Sequence, residues 1–407
     1  MRFIPIKQKF FFMIIKQIKS IIFLISSIIS NIIMFLTMII PRNKKMIVFG
    51  AWWGNKYDDN SRALFEYTVN NRKDIETYWL SPNKAVVDKV RSLGYPVIYS
   101  HSIKAVLVSL RAGYECYCTS NTDIGRNLKK YLGGCTIINL WHGVVTKKIM
   151  YDNQISRKKH GLINKMNLAV EKYAKPNWFV ACTSEIYYPI FESAFRTSRD
   201  KILNIGQARN DYFFMDIPNP YKEKFLGKKI VLYMPTHRQE GKKSMNMYQI
   251  LDLPLINEVL DKHNAVLIIK KHYYHRAEPS VGEEYGNIIE MTNENPDTPT
   301  LLKAADVLIT DYSSCYNDYL LLNRPQIFYC YDMDDYLLND REMYFDYYSN
   351  VPGPICKAVS ELIKELNDVL SGKDNYKEKR QQQLDFFYSK ENQGIVAPRQ
   401  LETILSL

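Results

Sequence analysis

The segment NLWHGVV, residues 139–145, places a histidine directly after an apolar run. An imidazole titrates near neutral pH, so His142 is suited to take a proton from a reacting hydroxyl group. The glycine that follows it lets a ligand approach the backbone closely. Packing is the alternative role, because a single histidine after a strand is more often structural than catalytic. The segment alone leaves both roles open.

Arg209 follows a predicted strand and a glycine in the segment GQARND, residues 206–211. Its planar guanidinium presents a fixed fork of donors that can bind two oxygens of a phosphate group. A loop ion pair between Arg209 and Asp211 explains the same pattern equally well, and the spacing favours neither interpretation.

Polar and basic residues also end two strands in the segments MPTHRQEG (234–241) and IIKKHYYH (268–275). Such residues after an apolar strand either point into a cleft or are costly for folding. Basic groups from both loops would concentrate positive potential on an anion. The donors at the end of the first strand are Thr236, His237 and Arg238, and Lys270 and His272 are the candidates at the end of the second. For Lys271 and His275 the pattern favours simple exposure to solvent.

The most specific segment is ADVLITDYSSCYNDYLLLNRP, residues 305–325. An apolar strand ends at Thr310 and Asp311, and Ser313 and Ser314 then open a predicted helix. The N–H groups at a helix N-terminus attract anions, and the serine hydroxyl groups add donors. Helix capping by Asp311 or Ser313 is compatible with that role. The chain contains no Walker A, GxGxxG, HExxH or GxSxG motif, so the chemistries of those motifs lack support.

Parallel sheets with crossover helices would bring these strand ends to common edges. After residue 45, short apolar runs alternate with helical patterns. The predicted strands are 46–51, 76–81, 96–100, 114–120, 136–140, 178–184 and 201–206 in a first sheet, and 230–235, 265–270, 287–291, 306–310 and 325–330 in a second. Helices are predicted at 357–372 and 376–389. We therefore expect two doubly wound α/β domains that face a cleft at the carboxyl ends of their strands.

Composition and charge narrow the classes of protein further. Eight of the eleven net positive charges lie in residues 1–45, so the remainder is nearly neutral and a nucleic-acid-binding surface is not expected. The seven cysteines have no CxxC spacing, which predicts reduced, buried thiols rather than zinc ligands or disulfides. A boundary between the two domains is predicted in residues 214–229, which contain two prolines and many charges.

The first 45 residues predict attachment to a membrane. Residues 20–41 carry no charge and are long enough to span a bilayer, and the preceding stretch mixes lysine with phenylalanine and isoleucine. A span with the large domains inside would leave the basic N-terminus outside, against the positive-inside tendency. An in-plane or re-entrant anchor is therefore at least as good an interpretation, on a membrane with anionic lipid.

The four segments, in this order, resemble the CDP-glycerol:(poly)glycerophosphate glycerophosphotransferase family of teichoic acid synthesis. The resemblance begins at GAWWGNKYDDNSRALFEY (50–67), continues through the motifs above, and extends through FDYYSNVPGPI (345–355), so that it covers roughly residues 46–390. It implies a GT-B-type pair of Rossmann-like domains with an N-terminal membrane-associated helical segment. The organisation it implies is an anchor at 1–45, an acceptor-side domain at 46–215 and a CDP-donor-binding domain at 216–407.

The resemblance also implies roles for individual residues. His142 and His272 match the two catalytic histidines of the family. Donor-phosphate binding is implied for Arg238, Asp311, Ser313 and Ser314, to which the strand-end pattern adds Arg209, Thr236 and Lys270. We expect no cofactor and no tightly held metal, while a loosely held Mg²⁺ stays compatible with the sequence.

The expected reaction is transfer of a polyol phosphate from a CDP-activated donor to a hydroxyl group of a polyprenyl-diphosphate-linked acceptor, with release of CMP. In this hypothesis His142 is the general base, while His272 and Arg238 stabilise charge on the phosphoryl oxygens. The enzyme would work on the cytoplasmic face of the cell membrane, in synthesis of teichoic acid or of a phosphate-containing capsule. The alternatives are a CDP-ribitol ribitolphosphotransferase, a GT-B glycosyltransferase that uses a nucleotide sugar, and an inactive membrane scaffold.

Overall fold

The computed structural model describes residues 6–153, 177–238, 243–272, 275, 277–282, 284–294, 296–339 and 342–407. Within these ranges, the side chains of residues 6–20 and 337–339 are not described. Parts of three segments used above, residues 1–5, 239–241 and 273–274, lie outside the described residues.

Two parallel sheets form the framework of the fold, as the alternation of apolar runs and helical patterns predicts. The first sheet has the strand order β3-β2-β1-β4-β5-β6-β7 and the second has the order β10-β9-β8-β11-β12-β13. The first-sheet strands are β1 (Asn43–Gly50), β2 (Glu76–Ser81), β3 (Val97–Tyr99), β4 (Ala112–Tyr117), β5 (Thr136–Asn139), β6 (Trp178–Cys182) and β7 (Ile202–Asn204). The second-sheet strands are β8 (Lys229–Met234), β9 (Ala265–Ile269), β10 (Ile288–Glu290), β11 (Val307–Thr310), β12 (Gln326–Tyr329) and β13 (Ile355–Cys356). All twelve predicted strands are present, and among the described residues the structure adds one that was not predicted, the two-residue β13.

Helices connect the strands, and most begin at a side chain that accepts a backbone N–H hydrogen bond. Asn83, Ser102, Asp252 and Asp297 cap four of them in this way. The α-helices are α1 (Ile6–Thr37), α2 (Asp59–Asn71), α3 (Lys84–Ser92), α4 (Ile103–Arg111), α5 (Tyr187–Phe195), α6 (Pro220–Lys224), α7 (Met247–Ile250), α8 (Leu253–Lys262), α9 (Thr298–Ala304), α10 (Cys315–Leu320), α11 (Met333–Asn339), α12 (Tyr347–Asn350), α13 (Val359–Leu370), α14 (Lys377–Phe387) and α15 (Ala397–Leu405).

The second sheet is covered on both faces, as expected for a doubly wound domain. Ile230 and Leu232 of β8 pack in one hydrophobic cluster, and Val231 and Tyr233 pack in another. Neighbouring residues of a strand point to opposite faces of the sheet, so these two clusters lie on its two sides. This explains why β8 is apolar almost throughout rather than alternating.

Packing divides the chain into two compact units. Among the described residues, 6–142, 177–181 and 401–407 belong to the first unit, and those within 143–153 and 182–400 belong to the second. The predicted boundary inside 214–229 instead assigned all of residues 46–215 to the first domain. Residues 182–215 group with the second unit because their side chains pair there: Asp211 accepts the N–H groups of Val396 and Ala397.

The C-terminal end of α1 packs on the first unit. Met34 and Thr37 are buried there, and Thr37 accepts a hydrogen bond from the N–H group of Gly133. Arg42 follows the helix and donates to the backbone carbonyl groups of Thr37, Ser109, Leu110, Tyr131 and Gly133. Within the described part of the chain, no helix combines the length and hydropathy that a membrane crossing requires.

Candidate active site

His142 lies in the first unit, just after β5, in a turn that the backbone holds rigidly. Trp141 has a positive φ of 57°, which is rare for a bulky side chain. The side chain of Asn139 accepts the N–H group of Trp141 at 3.0 Å, and Asn60 donates to the carbonyl group of Trp141 at 3.0 Å. The position of the imidazole is therefore fixed by its neighbours in the chain and by α2.

The Nδ1 atom of His142 lies 2.8 Å from the carbonyl oxygen of Cys118. A carbonyl oxygen only accepts, so Nδ1 carries the hydrogen in this contact, and in the neutral ring Nε2 carries the lone pair. His142 is partly exposed. This arrangement is suited to general-base chemistry at Nε2.

A buried carboxylate holds the turn that presents the Cys118 carbonyl group. Asp123 is fully buried and accepts the N–H groups of Cys118 (3.3 Å), Thr119 (2.9 Å) and Ser120 (3.2 Å). Burial raises the pKa of Asp123, and these backbone hydrogen bonds oppose that rise. No sequence motif pointed to Asp123, although an aspartate side chain that accepts nearby backbone N–H groups is a common way to close such a turn.

The other eight predicted site residues lie in the second unit. Arg238 donates to Asp332 at 2.7 Å and to Asp311 at 2.8 Å, and it also donates to the carbonyl group of Thr236. Asp311 in turn accepts the N–H group of Thr236 at 2.8 Å. Burial lowers the pKa of the Arg238 guanidinium, but the two carboxylates outweigh that effect and raise it.

These contacts bear on the donor-phosphate role predicted for Arg238 and Asp311, which stays a prediction. Arg238 is only 2% exposed and Asp311 is 0% exposed, and their polar atoms are occupied by each other, by Asp332 and by Thr236. A group in this position cannot reach a phosphate without breaking buried ion pairs. The pair instead ties the ends of β8 and β11 together. Sequence reasoning missed Asp332, which lies three residues after β12, whereas Asp311 directly follows β11.

The remaining candidates in the second unit are partly exposed, which suits contact with a ligand. They are Arg209, Thr236, Lys270, His272, Ser313 and Ser314. The hydroxyl group of Thr236 is buried and makes no hydrogen bond within the described residues. Lys270 donates to Thr298 at 2.6 Å, and the rings of His237 and His272 lie 4.9 Å apart.

Arg209, Ser314 and Gly143 come together in the second unit. A Cβ atom built on Gly143 would lie 3.4 Å from Nη2 of Arg209 and 3.6 Å from Oγ of Ser314, and Gly143 has a φ of 153° that side chains rarely adopt. Arg209 pairs with Asp318 at 2.6 Å, so the predicted alternative partner, Asp211, is wrong. Asp211 instead accepts the N–H groups of Val396 and Ala397 at the start of α15.

Two further predictions need correction. Lys271 and His275 are 2% and 1% exposed, so the predicted exposure to solvent is wrong. Lys271 pairs with Glu290 at 2.9 Å, and His275 lies 3.0 Å from Glu278, because β10 and the preceding loop supply carboxylates that the local sequence does not show. The helix that the serines open, α10, has only six residues, so its dipole is weaker than a long helix would provide.

No group of three or more histidine, cysteine, aspartate or glutamate side chains suited to a metal occurs among the described residues. The roles of the candidate residues and the expectation about cofactors stay predictions.

Comparison with known proteins places the chain in a family. A model of the CDP-glycerol:poly(glycerophosphate) glycerophosphotransferase family matches residues 32–406. The chain is 30% identical to a teichoic acid glycerol-phosphate transferase of Staphylococcus aureus over 83% of this chain and 87% of that protein. It is 28% identical to a teichoic acid poly(glycerol phosphate) polymerase of Bacillus spizizenii over 90% of this chain and 92% of that protein.

Solved structures show the same architecture. A structure of the wall teichoic acid polymerase TagF, soaked with CDPG, superposes with a TM-score of 0.75 at 24% identity and covers 96% of this chain and 98% of that chain. A UDP-N-acetylglucosamine 2-epimerase from Neisseria meningitidis gives a TM-score of 0.53 at 11% identity over 89% of this chain and 99% of that chain.

The fold is therefore a two-sheet α/β fold of the kind found in TagF and in these epimerases. The match over most of its length shows that the chain belongs to the CDP-glycerol:poly(glycerophosphate) glycerophosphotransferase family, and it is a transferase.

Proposed function

We propose that this enzyme transfers glycerol phosphate from CDP-glycerol to a hydroxyl group of a lipid-linked acceptor in teichoic acid synthesis. The acceptor oxygen forms a bond to the phosphorus that bears the glycerol, the bond from that phosphorus to the bridging oxygen breaks, and CMP leaves. The hydroxyl proton passes to a base on the enzyme. Family membership supports the reaction class, and the geometry of His142 supports the base.

The observation on which the proposal depends most is the tautomer of His142. The 2.8 Å contact with the Cys118 carbonyl group keeps the hydrogen on Nδ1, so that the lone pair of Nε2 can accept the hydroxyl proton. The same carbonyl group stabilises the imidazolium that forms when the proton arrives. A base held by a fixed backbone group needs no rearrangement at the moment of reaction.

The partly exposed residues of the second unit supply the groups for the pyrophosphate of the donor substrate. Arg209, Lys270 and His272 provide positive or polar N–H groups, and the two serines provide hydroxyl groups. The Arg238–Asp311–Asp332 cluster would act by holding the ends of β8, β11 and β12 in place rather than by touching the phosphates. This reassignment makes Arg209 the principal phosphate-binding arginine of the proposal.

Glycerol is favoured over ribitol by the extent of the resemblance. The glycerol-phosphate transferase of Staphylococcus aureus matches 83% of this chain, whereas a teichoic acid ribitol-phosphate primase of Bacillus spizizenii matches 56% of it at 31% identity. The chain spans 48% of the length of a poly(glycerol phosphate) polymerase of Staphylococcus epidermidis. Synthesis of a phosphate-containing capsule with the same chemistry is the second candidate pathway.

We further propose that α1 attaches the enzyme to the cytoplasmic face of the cell membrane, as a peripheral or in-plane anchor. Ten large apolar side chains in and just after α1 are between 46% and 82% exposed: Ile21, Ile22, Phe23, Ile25, Ile28, Ile29, Ile32, Phe35, Leu36 and Ile39. Exposed apolar surface on this scale marks an interaction site. Replacing Ile25, Ile29 and Ile32 by serine should move the protein from anionic vesicles to the supernatant on flotation, whereas Leu107→Ser in α4 should not.

Replacing His142 tests the central proposal. The His142→Ala enzyme should lose about a thousandfold in the rate of CMP release from CDP-glycerol with a lipid-linked acceptor, because a general base contributes on that order. The matched control is His101→Ala, since His101 is an exposed histidine of the same unit and should be dispensable. Retention of full turnover by a folded His142→Ala protein would remove the base assignment. Faster turnover of CDP-ribitol than of CDP-glycerol by the wild-type enzyme would overturn the choice of glycerol.

A further inference from the structure

Two consecutive tryptophans beside His142 adopt a backbone conformation that large side chains avoid. Trp52 and Trp53 have φ angles of 50° and 55°, in the left-handed region. For bulky residues this is a conformational outlier that persists only where the surroundings enforce it, and such outliers cluster at functional sites. The loop between β1 and α2 therefore holds the two indole rings in place against an intrinsic backbone preference.

The same carboxylate that organises the His142 turn also enforces this loop. Asp123 accepts the N–H group of Trp53 at 2.7 Å through the oxygen that accepts the N–H group of Ser120. Gly50, at the start of the loop, approaches so closely that a Cβ atom there would lie 2.5 Å from the carbonyl carbon of Asp123. One buried side chain thus fixes the tryptophan loop and the contact that orients His142.

The two rings differ in exposure, and only one of them has a packing role. The Trp52 ring lies 5.8 Å from the His142 ring, with the ammonium group of Lys56 4.8 Å from its centre. Its indole N–H group is buried and makes no hydrogen bond within the described residues, so ring contacts and the backbone hold it. Trp53, whose ring lies 6.0 Å from that of Trp52, is 55% exposed. Packing explains Trp52 but leaves the exposed Trp53 ring unexplained.

We propose that the Trp52–Trp53 turn is an acceptor subsite, in which Trp53 stacks on a sugar ring of the acceptor beside the hydroxyl group that His142 deprotonates. A pyranose ring presents C–H groups on one face, and these carry the partial positive charge that the face of an indole attracts. An aromatic side chain has few rotatable bonds, so a ring already held by a strained loop loses little entropy on binding. This inference rests on the proposed function, because it assigns the acceptor side of that reaction.

The charges near the turn fit the same ligand. Lys56 places a positive charge over Trp52, on the loop that also carries Trp53. A sugar that is linked to a diphosphate would meet an aromatic face and a cation within one short segment. A lipid surface is the other ligand for an exposed tryptophan, but the fixed relation of the turn to His142 through Asp123 favours a reacting molecule.

The first experiment measures binding without the donor substrate. The probe is a disaccharide diphosphate on a short alkyl chain, titrated into the full-length enzyme in detergent and followed by calorimetry. Trp53→Ala should weaken binding about tenfold, which corresponds to the loss of one stacking contact, while Trp53→Phe should remain within about threefold of wild type. Leu107→Ala is the matched control, because Leu107 is an apolar residue of the same unit that is 56% exposed. Equal binding by Trp53→Ala and wild type would overturn the proposal.

The second experiment separates this inference from the reaction. In CMP-release assays, Trp53→Ala should raise the KM for the acceptor about tenfold and leave the KM for CDP-glycerol within about twofold. If the wild-type enzyme binds the disaccharide probe through Trp53 but releases no CMP from CDP-glycerol, the acceptor subsite stands and the proposed function fails. If Trp53→Ala keeps full affinity for the probe and loses binding to anionic vesicles, the turn contacts lipid and the subsite is wrong.

Discussion

In the first unit, the loops around His142 are fixed by backbone hydrogen bonds that end on one carboxylate, Asp123. In the second unit, the strand ends are fixed by buried ion pairs, among them Arg238 with Asp311 and Asp332 and Lys271 with Glu290. The hydrogen bonds to Asp123 fix the orientation of the loops, because the N–H groups of adjacent residues must converge on its two carboxylate oxygens. The ion pairs of the second unit depend on charge balance, because each carboxylate is tolerated in the interior only while its cation is present.

This difference predicts how a substitution in each region affects stability and the geometry of the site. Removal of one charge in the second unit leaves its partner buried and uncompensated, which costs stability directly. Loss of Asp123 in the first unit instead relaxes strained residues such as Trp53, which costs alignment at the site as well as stability. Two units in one chain need not unfold in a single step, so stability is best followed with probes of each unit.

The largest effect is expected for Arg238→Ala. Asp311 and Asp332 then lose the buried cation that pairs with both, and the cost is about 4 kcal/mol, the scale for a broken buried ion pair. Thermal unfolding followed by calorimetry should show the loss. The control is Arg91→Ala, whose ion pair with Asp88 has a 63% exposed arginine side chain and should contribute less than about 1 kcal/mol. Similar losses for both variants would contradict the comparison.

Asp211 is a buried carboxylate of the second unit whose hydrogen bonds come from backbone N–H groups, so it tests whether the effect depends on a cationic partner or on the unit. Burial raises the pKa of Asp211 to about 6, although the N–H groups of Val396 and Ala397 lower it. The folded state therefore favours the protonated acid. Its contribution is complete below the unfolded pKa near 4 and is lost as pH rises to about 6, by up to about 3 kcal/mol.

Asp211→Asn removes this titration and serves as its own reference. The stability of wild type relative to Asp211→Asn should fall as the pH is raised from 4 to 7, as measured by urea unfolding at each pH. A relative stability that rises with pH would show that the hydrogen bonds to the carboxylate outweigh its burial.

Asp123→Asn should have an intermediate effect on stability and a specific effect on catalysis. An amide can accept from the N–H groups on one side only, so two N–H groups lose their acceptor, at about 2 kcal/mol in total. Because the Cys118 turn orients His142, kcat should fall while the KM for CDP-glycerol stays constant. Asp88→Asn, at an exposed site of the same unit, is the control. An unchanged kcat would show that the turn keeps its geometry without the carboxylate.

The smallest effect is expected for Gly143→Ala. The φ of 153° is strained for alanine, at about 1 kcal/mol, and the new methyl group would touch Arg209 and Ser314. Gly94→Ala shares a positive φ but has no atom within 4 Å of the new methyl group, so it reports strain alone. A lower affinity for CDP-glycerol in Gly143→Ala but not in Gly94→Ala would indicate that the Arg209–Ser314 region binds the donor substrate.

The sequence predicted the framework because apolar runs are local signals. The strands 76–81 and 265–270 match β2 and β9 closely, since β9 is buried throughout and β2 is buried over most of its length. The two-residue β13 gives too short a run to be noticed. The predicted thiols are buried at all seven positions.

The site was predicted less completely because its partners are distant in sequence. Asp332 pairs with Arg238 although the two are 94 residues apart in sequence. Lys271, which was predicted to lie on the surface, is buried in an ion pair with Glu290. The left-handed backbone at Trp52 and Trp53 has no sequence signal, since glycine or asparagine is the usual residue there. Asp123 also has no sequence signal, because its hydrogen-bond partners are backbone N–H groups that any residue could supply.

The buried thiols are built-in chemical probes of the opening of each unit. Burial raises the pKa of Cys182, Cys330 and Cys356 to about 12, and it raises that of Cys116 and Cys118 well above the usual range. The thiolate is the form that reacts with alkylating reagents. The thiols of a folded unit therefore react slowly for two reasons, because they are enclosed and because they stay protonated. Cys116, Cys118 and Cys135 belong to the first unit and the other four to the second. Mass spectrometry of alkylated peptides would therefore time the loosening of each half of the enzyme separately, with no added label.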